Sequence, residues 1–234
     1  MNAIQESRKN SLLKKTEIFS KLNDEELEEI IHKIIVKKFK RNETILHEED
    51  TNEYMYIILK GKVKVIKTTE DYREIIMAMH NSGSFFGEMS LIDGKTTPAS
   101  VISTEDSLIA LISKKDFKSI VSNQNKVMEN MMEILCSRLR KSWDTIQFLN
   151  FNNATQRIKM FFLMLADEYG EKSPEGITLN IKITKQNISE MVGLRRETVS
   201  RVFDKLQKSK EITILNNKFI QLNLFYMQDS EANL

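Results

Sequence analysis

The sequence predicts an α+β chain in three parts: a β-rich N-terminal region, a long helix and a C-terminal winged helix-turn-helix. Three observations predict it. From Val36 to about Ser113, apolar residues recur at period two in short runs split by turns. From Asn125 to Asn150 the period becomes helical. Between Ile183 and Phe203, a short apolar-faced segment, a glycine and a second such segment follow one another. The 234 residues suffice for one large domain or two ordinary ones. The expected divisions are residues 1–122, 123–151 and 152–234.

Ser11 to Lys37 reads as one or two short helices, with Asn23 or Ser20 capping Asp24-Glu25-Glu26-Leu27. Tyr54 to Leu59 is an apolar strand, Lys62 to Lys67 alternates charge and aliphatic, and Glu74 to Met79, Ala99 to Ser103 and Ser107 to Ile112 follow as strands. In the long helix Met128, Met132, Leu135, Leu139, Ser142, Ile146 and Leu149 recur at alternating steps of four and three, a heptad seam suited to a two-fold partner. Met131, Ile134 and Phe148 lie on another face and can pack on the β region. Asn152-Asn153 breaks the pattern as a hinge, and Asn153 caps a helix bearing Ile158, Phe161, Phe162 and Leu165. Tyr169 to Gly176 reads as a loop and Ile177 to Ile183 as a strand. Strands at Ile212–Leu215 and Lys218–Leu222 flank an Asn216-Asn217 turn.

A formal net charge of +2 does not by itself argue for nucleic acid. Its distribution does: Lys185, Arg195, Arg196, Arg201, Lys205, Lys208 and Lys210 outnumber Glu190, Glu197, Asp204 and Glu211 across the helix-turn-helix. The single cysteine, Cys136, reads as a small buried apolar residue and points to the cytoplasm. One cysteine cannot ligate an iron–sulfur cluster. No run approaches a membrane span, and the polar, lysine-rich N-terminus is not a signal peptide.

The second helix of the Ile183–Phe203 segment carries the chemistry. With Arg196 at zero, Glu197, Ser200, Arg201 and Asp204 fall at roughly 100°, 40°, 140° and 80° around it. Val199, Val202, Phe203 and Leu206 fall at roughly 300°, 240°, 340° and 280°. Arginine donates twice to guanine O6 and N7, and glutamate accepts from cytosine N4. The alternative is a solvated face closed by a Glu197–Arg201 pair.

Gly193-x-x-Arg196-Glu197-Thr198-Val199-Ser200-Arg201 resembles the recognition segment of the CRP–FNR family of bacterial transcription regulators, in its catabolite-activator branch. Tyr56 to Val65 and Gly83-Ser84-Phe85-Phe86-Gly87-Glu88 are similar to that family's cyclic-nucleotide-binding β jelly roll. The resemblance implies a homodimeric activator in which Arg196, Glu197 and Arg201 read TGTGA-like palindromic half-sites. Thr184, Lys185, Arg195 and Ser200 would contact phosphates. Arg195 departs from the capping Ser or Thr usual there. Implied partners are double-stranded DNA, a second copy and RNA polymerase, with no membrane.

In the family's cyclic-nucleotide binders a Gly-Glu pair takes the ribose and an Arg-Ser/Thr-Ala segment the phosphate. Gly87 and Glu88 match the first. Aligned on Ala99, the arginine position is Thr97 and the hydroxyl position Pro98. A phosphate needs a cation or several donors, so cyclic AMP is not expected to bind in the usual way. Ser142 and Trp143 stand where relatives touch the purine, which makes Gly87, Glu88, Thr97, Ser142 and Trp143 the effector-pocket candidates. Haem would need His32, His47 or His80 as ligand, and none carries a second-ligand motif. The effector therefore stays unknown. Two alternatives stand beside the sensor reading: an effector-independent regulator set by abundance, and a cyclic-nucleotide module of another class. No catalytic triad, metal cluster or phosphate-binding glycine loop supports an enzyme.

Overall fold

The computed structural model describes residues 11–72, 74–150, 153–215, 219–224 and 226. The chain divides into two compact units, one ending at Leu139 and the other beginning at Arg140. The first unit contains a 3-10 turn (Glu17–Phe19), α1 (Asp24–Ile31), β1 (Ile34–Phe39), β2 (Thr44–Leu46), β3 (Tyr54–Lys60), β4 (Lys62–Thr68), β5 (Glu74–Asn81), β6 (Phe85–Phe86), α2 (Glu88–Asp93), β7 (Ser100–Ser103), β8 (Ser107–Ser113) and α3 (Lys114–Asn123). Helix α4 (Asn125–Leu149) runs from the first unit into the second. The second unit adds α5 (Ala154–Tyr169), β9 (Gly170–Ser173), β10 (Gly176–Leu179), α6 (Lys185–Val192), α7 (Arg196–Lys208), β11 (Ile212–Ile214) and β12 (Ile220–Asn223).

Two antiparallel four-stranded sheets, β1-β8-β3-β6 and β2-β7-β4-β5, make the β roll. Strand β3 explains its continuous apolar run: it is buried on both faces. Tyr56 and Ile58 point into the roll with Val63, Val101, Ile109 and Leu111. Met55, Ile57 and Leu59 face Leu27, Ile30, Phe117, Val127 and Met131 on the helices. Strand β4 buries Val63 and Ile66, with a register irregularity between Val65 and Ile66 that breaks the period-two alternation. Asn23, not Ser20, caps α1, in a reciprocal box with Glu26.

The second unit is one core around Phe162, Phe203, Leu206 and Tyr226. Its sheet runs β11-β12-β10-β9. Three sequence readings need correction here. The segment after Tyr169 is not all loop, because Gly170–Ser173 pairs with β10. Every side chain of β9 is exposed, so no apolar alternation announced it. The strand from Ile177 stops at Leu179, and Ile181 reaches the core from irregular backbone. Cys136 is exposed, since it lies on the turn of α4 that faces away from the roll. Asn152 of the expected hinge, the Asn216-Asn217 turn and the Phe148 side chain lie outside the described residues. Around that turn, Leu215 N donates to Phe219 O at 2.9 Å, and β11 pairs with β12.

Candidate nucleic-acid interface and sensor residues

Helices α6 and α7 form the predicted helix-turn-helix. Thr184 caps α6: its hydroxyl accepts from Asn187 N at 3.0 Å and donates to Asn187 Oδ1 at 2.7 Å. Gly193 ends α6 at φ 64°, left-handed backbone that favours glycine. Leu194 N returns to Ser189 O at 3.1 Å and turns the chain into α7. From α5, Arg157 Nη1 donates to Val192 O at 3.2 Å, one of the last carbonyls of α6.

Val199, Val202, Phe203 and Leu206 are buried, as their side of α7 predicts. Arg196, Glu197 and Arg201 are exposed and have no hydrogen bond or ion pair among the described residues. The Glu197–Arg201 surface pair does not form. Arg195 occupies the N-cap with no side-chain cap bond. Lys185 and Ser200 meet: Lys185 Nζ donates to Ser200 Oγ at 3.0 Å and stands 5.2 Å from the Phe203 ring centroid.

Behind α7 lies a latch that the sequence did not announce. Lys159 on α5 pairs with Glu211, and Ser209 donates to Glu211 Oε1 at 2.7 Å. Tyr226 Oη donates to Lys159 O at 2.6 Å. Burial alone would raise the Glu211 carboxyl. The hydrogen bonds from Lys159 and Ser209, with the Lys159 and Lys205 charges, outweigh it and hold the group below the usual carboxylate range.

In the first unit, Gly87 adopts φ 83° and opens α2. A Cβ there would stand 2.9 Å from the Tyr56 ring and 3.1 Å from Asn52 Nδ2, so the position requires glycine on two counts. Glu88 is buried, and its carboxylate meets Arg138 of α4 at 3.0 Å. Arg138 also donates to Phe85 O at 2.6 Å and stacks 4.4 Å over the Phe85 ring. Burial pushes the Glu88 carboxyl up, and the Arg138 charge recovers only part of that. Sequence reasoning missed Arg138 because its partner lies 50 residues away and neither residue marks the other.

Thr97 is buried, and its hydroxyl is spent on the backbone: it donates to His47 O and lies 3.2 Å from Asp50 O. Glu49 N donates to Thr97 O at 2.8 Å. This clasp holds Glu49 at φ 67°, a conformation costing about 1 kcal/mol or more for a residue with a side chain. Pro98 is exposed. Ser142 and Trp143 are exposed on α4, in the second unit, so the structure does not gather the five pocket candidates at one place within either unit. Of the histidines, His32 ends α1, His47 is exposed and His80 is half-buried on β5. No metal-binding cluster exists among the described residues. No described helix is long and apolar enough to cross a membrane.

Fold and interface together define a helix-turn-helix DNA-binding protein with an N-terminal sensor-type β roll. Residues 36–124 match the cyclic nucleotide-binding domain family and residues 156–228 the Crp-like helix-turn-helix domain family. The chain is 32% identical over 189 residues to the cAMP-activated global transcriptional regulator CRP of Pasteurella multocida, covering 79% of this chain and 88% of that one. It is 29% identical over 200 residues to the global nitrogen regulator of Synechococcus elongatus, covering 80% and 86%. Among solved structures, a CooA mutant from Carboxydothermus hydrogenoformans shares the fold at TM-score 0.76 and 22% identity, over 85% of this chain and 88% of that one. The c-di-GMP responsive global regulator CLP of Xanthomonas campestris does so at TM-score 0.71 and 22% identity, over 86% and 99%. The chain belongs to the CRP–FNR family of DNA-binding transcription regulators.

Two outcomes follow. Arg138→Ala strands the buried Glu88 carboxylate and should cost about 3 kcal/mol in urea unfolding, the low end for such a pair because the arginine is partly exposed; a loss below about 1 kcal/mol would show the pair to be ornamental. Because the folded Glu211 pKa is depressed, its stabilisation is present above the ordinary value of 4.5 and is lost as pH falls through the folded value. Unfolding midpoints measured over a pH series should therefore show Glu211→Gln weaker than the parent near neutrality and level with it in acid.

Proposed function

We propose that the chain works as a homodimeric regulator that reads TGTGA-like palindromic half-sites through Arg196, Glu197 and Arg201. The exposed, partner-free state of those three side chains on a helix whose opposite face is buried carries the reading. Among the described residues their donors and acceptor are not taken up, which leaves them available to guanine and cytosine edges. Exposed Arg195, at the N-terminus of α7, supports a phosphate contact there, while Thr184's hydroxyl proton is committed to Asn187 Oδ1.

The second copy is argued from α4. Met132, Leu139 and Ile146 are 59%, 52% and 58% exposed, and with Met128, Leu135, Ser142 and Leu149 they repeat at heptad spacing. The neighbouring face, with Val127 and Met131, is already buried in the first unit. A soluble helix keeps such a stripe when a partner covers it. Two protomers would then present their recognition helices one DNA turn apart, roughly 34–36 Å. In this reading residues 1–122 are the sensor, 123–151 the dimerisation helix and hinge, and 152–234 the DNA-binding domain, with RNA polymerase as a further partner.

The sensor does not take cyclic AMP in the family's usual way. The arginine position holds Thr97, whose hydroxyl is committed to His47 O and Asp50 O, and Pro98 offers no donor. The same observation supports a second reading, a regulator that binds DNA without an effector. Specific binding by the ligand-free protein would separate the two.

In competition binding at fixed salt, a palindromic TGTGA-type duplex should be preferred over scrambled DNA by at least ~10³-fold. Arg201→Ala should lose about 1–3 kcal/mol at the matching guanine and relax choice there alone; unchanged discrimination would refute its role. Leu139→Glu places like charges across the seam and should give a monomer by sedimentation equilibrium with native helix content. A dimer of parental affinity would put the interface elsewhere.

A further inference from the structure

We infer that Lys185 is a positioning residue for base reading, setting the rotation of α7 through Ser200 instead of contacting the DNA backbone itself. This rests on α7 being the recognition helix. Lys185 is the first residue of α6, where a lysine aimed at phosphate would extend into solvent. Here it is half-buried and turned inward. Its ammonium donates to Ser200 Oγ at 3.0 Å and lies 5.2 Å from the centre of the Phe203 ring.

Both contacts fall on one ridge of α7. Arg196, Ser200 and Phe203 sit at roughly 0°, 40° and 340° around its axis, successive members of an i, i+4, i+7 row. Phe203 anchors one end of the row in the core, and Arg196 is exposed at the other. Lys185 grips the middle, at the border between the buried and the DNA-facing halves. A hydroxyl bond and a cation–π contact on one ammonium resist rotation of the helix about its own axis. Bidentate recognition by a planar guanidinium tolerates an error of only about 10–20°. A loss of this grip would therefore be felt by Arg196 at the bases before it is felt by any phosphate contact.

The test compares Lys185→Gln, Lys185→Arg, Ser200→Ala and the Lys185→Gln/Ser200→Ala double variant on a palindromic TGTGA-type duplex and on a random duplex, across a salt series. Lys185→Gln and Ser200→Ala should each weaken the palindromic duplex by ~3–10-fold while leaving the random duplex and the salt slope unchanged. The double variant should be no weaker than either single one, since the two groups act as a unit. Lys185→Arg, which keeps a cation and donors, should recover most of the loss. Should Lys185→Gln weaken both duplexes equally and lower the salt slope by about one, Lys185 is a phosphate contact and the inference fails. It fails equally if Ser200→Ala, a small change on a half-buried surface, leaves the preference intact; that variant decides even if Lys185→Gln does not fold. A parent protein with no preference between the duplexes would refute the recognition helix itself, a different result from either.

Discussion

The orientation of α7 rests on its apolar half. Val199, Val202, Phe203 and Leu206 are buried against Phe162, Leu165, Ile188 and Leu222. At about 1.5–3 kcal/mol for each large side chain taken from water, four such residues contribute on the order of 6–12 kcal/mol. The missing cap at Arg195 costs roughly 1 kcal/mol. The seat therefore outweighs the defect at the helix start, and a position usually given to a cap is released for a cation. With the buried half fixed, the remaining half can only face outward, and its residues are Arg196, Glu197, Arg201 and Asp204. The apolar seat thus decides which half is exposed, and the Lys185–Ser200 contact is left to trim its rotation.

The first unit uses its family-marked residues for architecture. Gly87 and Glu88 form a left-handed turn and a buried carboxylate, but that carboxylate is held by Arg138 from α4. Thr97 stands where the resemblance implies an anion-binding arginine, and it clasps the His47–Asp50 turn instead. The turn it holds is itself acidic, with Glu48, Glu49 and Asp50. Glu48 is paired with Lys67, so that cation is already engaged. A dianionic or monoanionic phosphate brought to Thr97 would meet acceptors and carboxylates where it needs donors.

Periodicity made much of this legible. The heptad seam located α4 to within a residue of its observed end, because a period shared by seven positions is hard to produce by accident. Asn23 and Asn153 were legible as caps because their signals are local. The misses were non-local. Strand β9 exists through its pairing with β10, and its exposed Gly-Glu-Lys-Ser carries no strand pattern. The positive φ of Glu49 is sustained by a clasp from the segment around Thr97, distant in sequence. The Lys159–Glu211 and Glu88–Arg138 pairs each join elements distant in sequence. The resemblance implies a phosphate contact for Lys185; the hydroxyl its ammonium meets belongs to the next helix, a partner no local pattern marks.

Helix α4 carries buried and exposed apolar residues on adjacent faces. Its inner face, with Val127, Asn130 and Met131, is buried in the first unit, and Asn130 donates to Ile18 O at 3.2 Å. Its outer face carries the exposed seam. Arg138, which pairs with Glu88, immediately precedes Leu139 of the heptad stripe. Neighbouring residues on a helix are about 100° apart, so one turn of backbone is shared by the ion pair and the seam. Neutralising or displacing Glu88 would remove the charge that fixes Arg138 while leaving the Phe85 contacts in place. A buried ion pair and an exposed apolar residue are thus carried by consecutive side chains of α4.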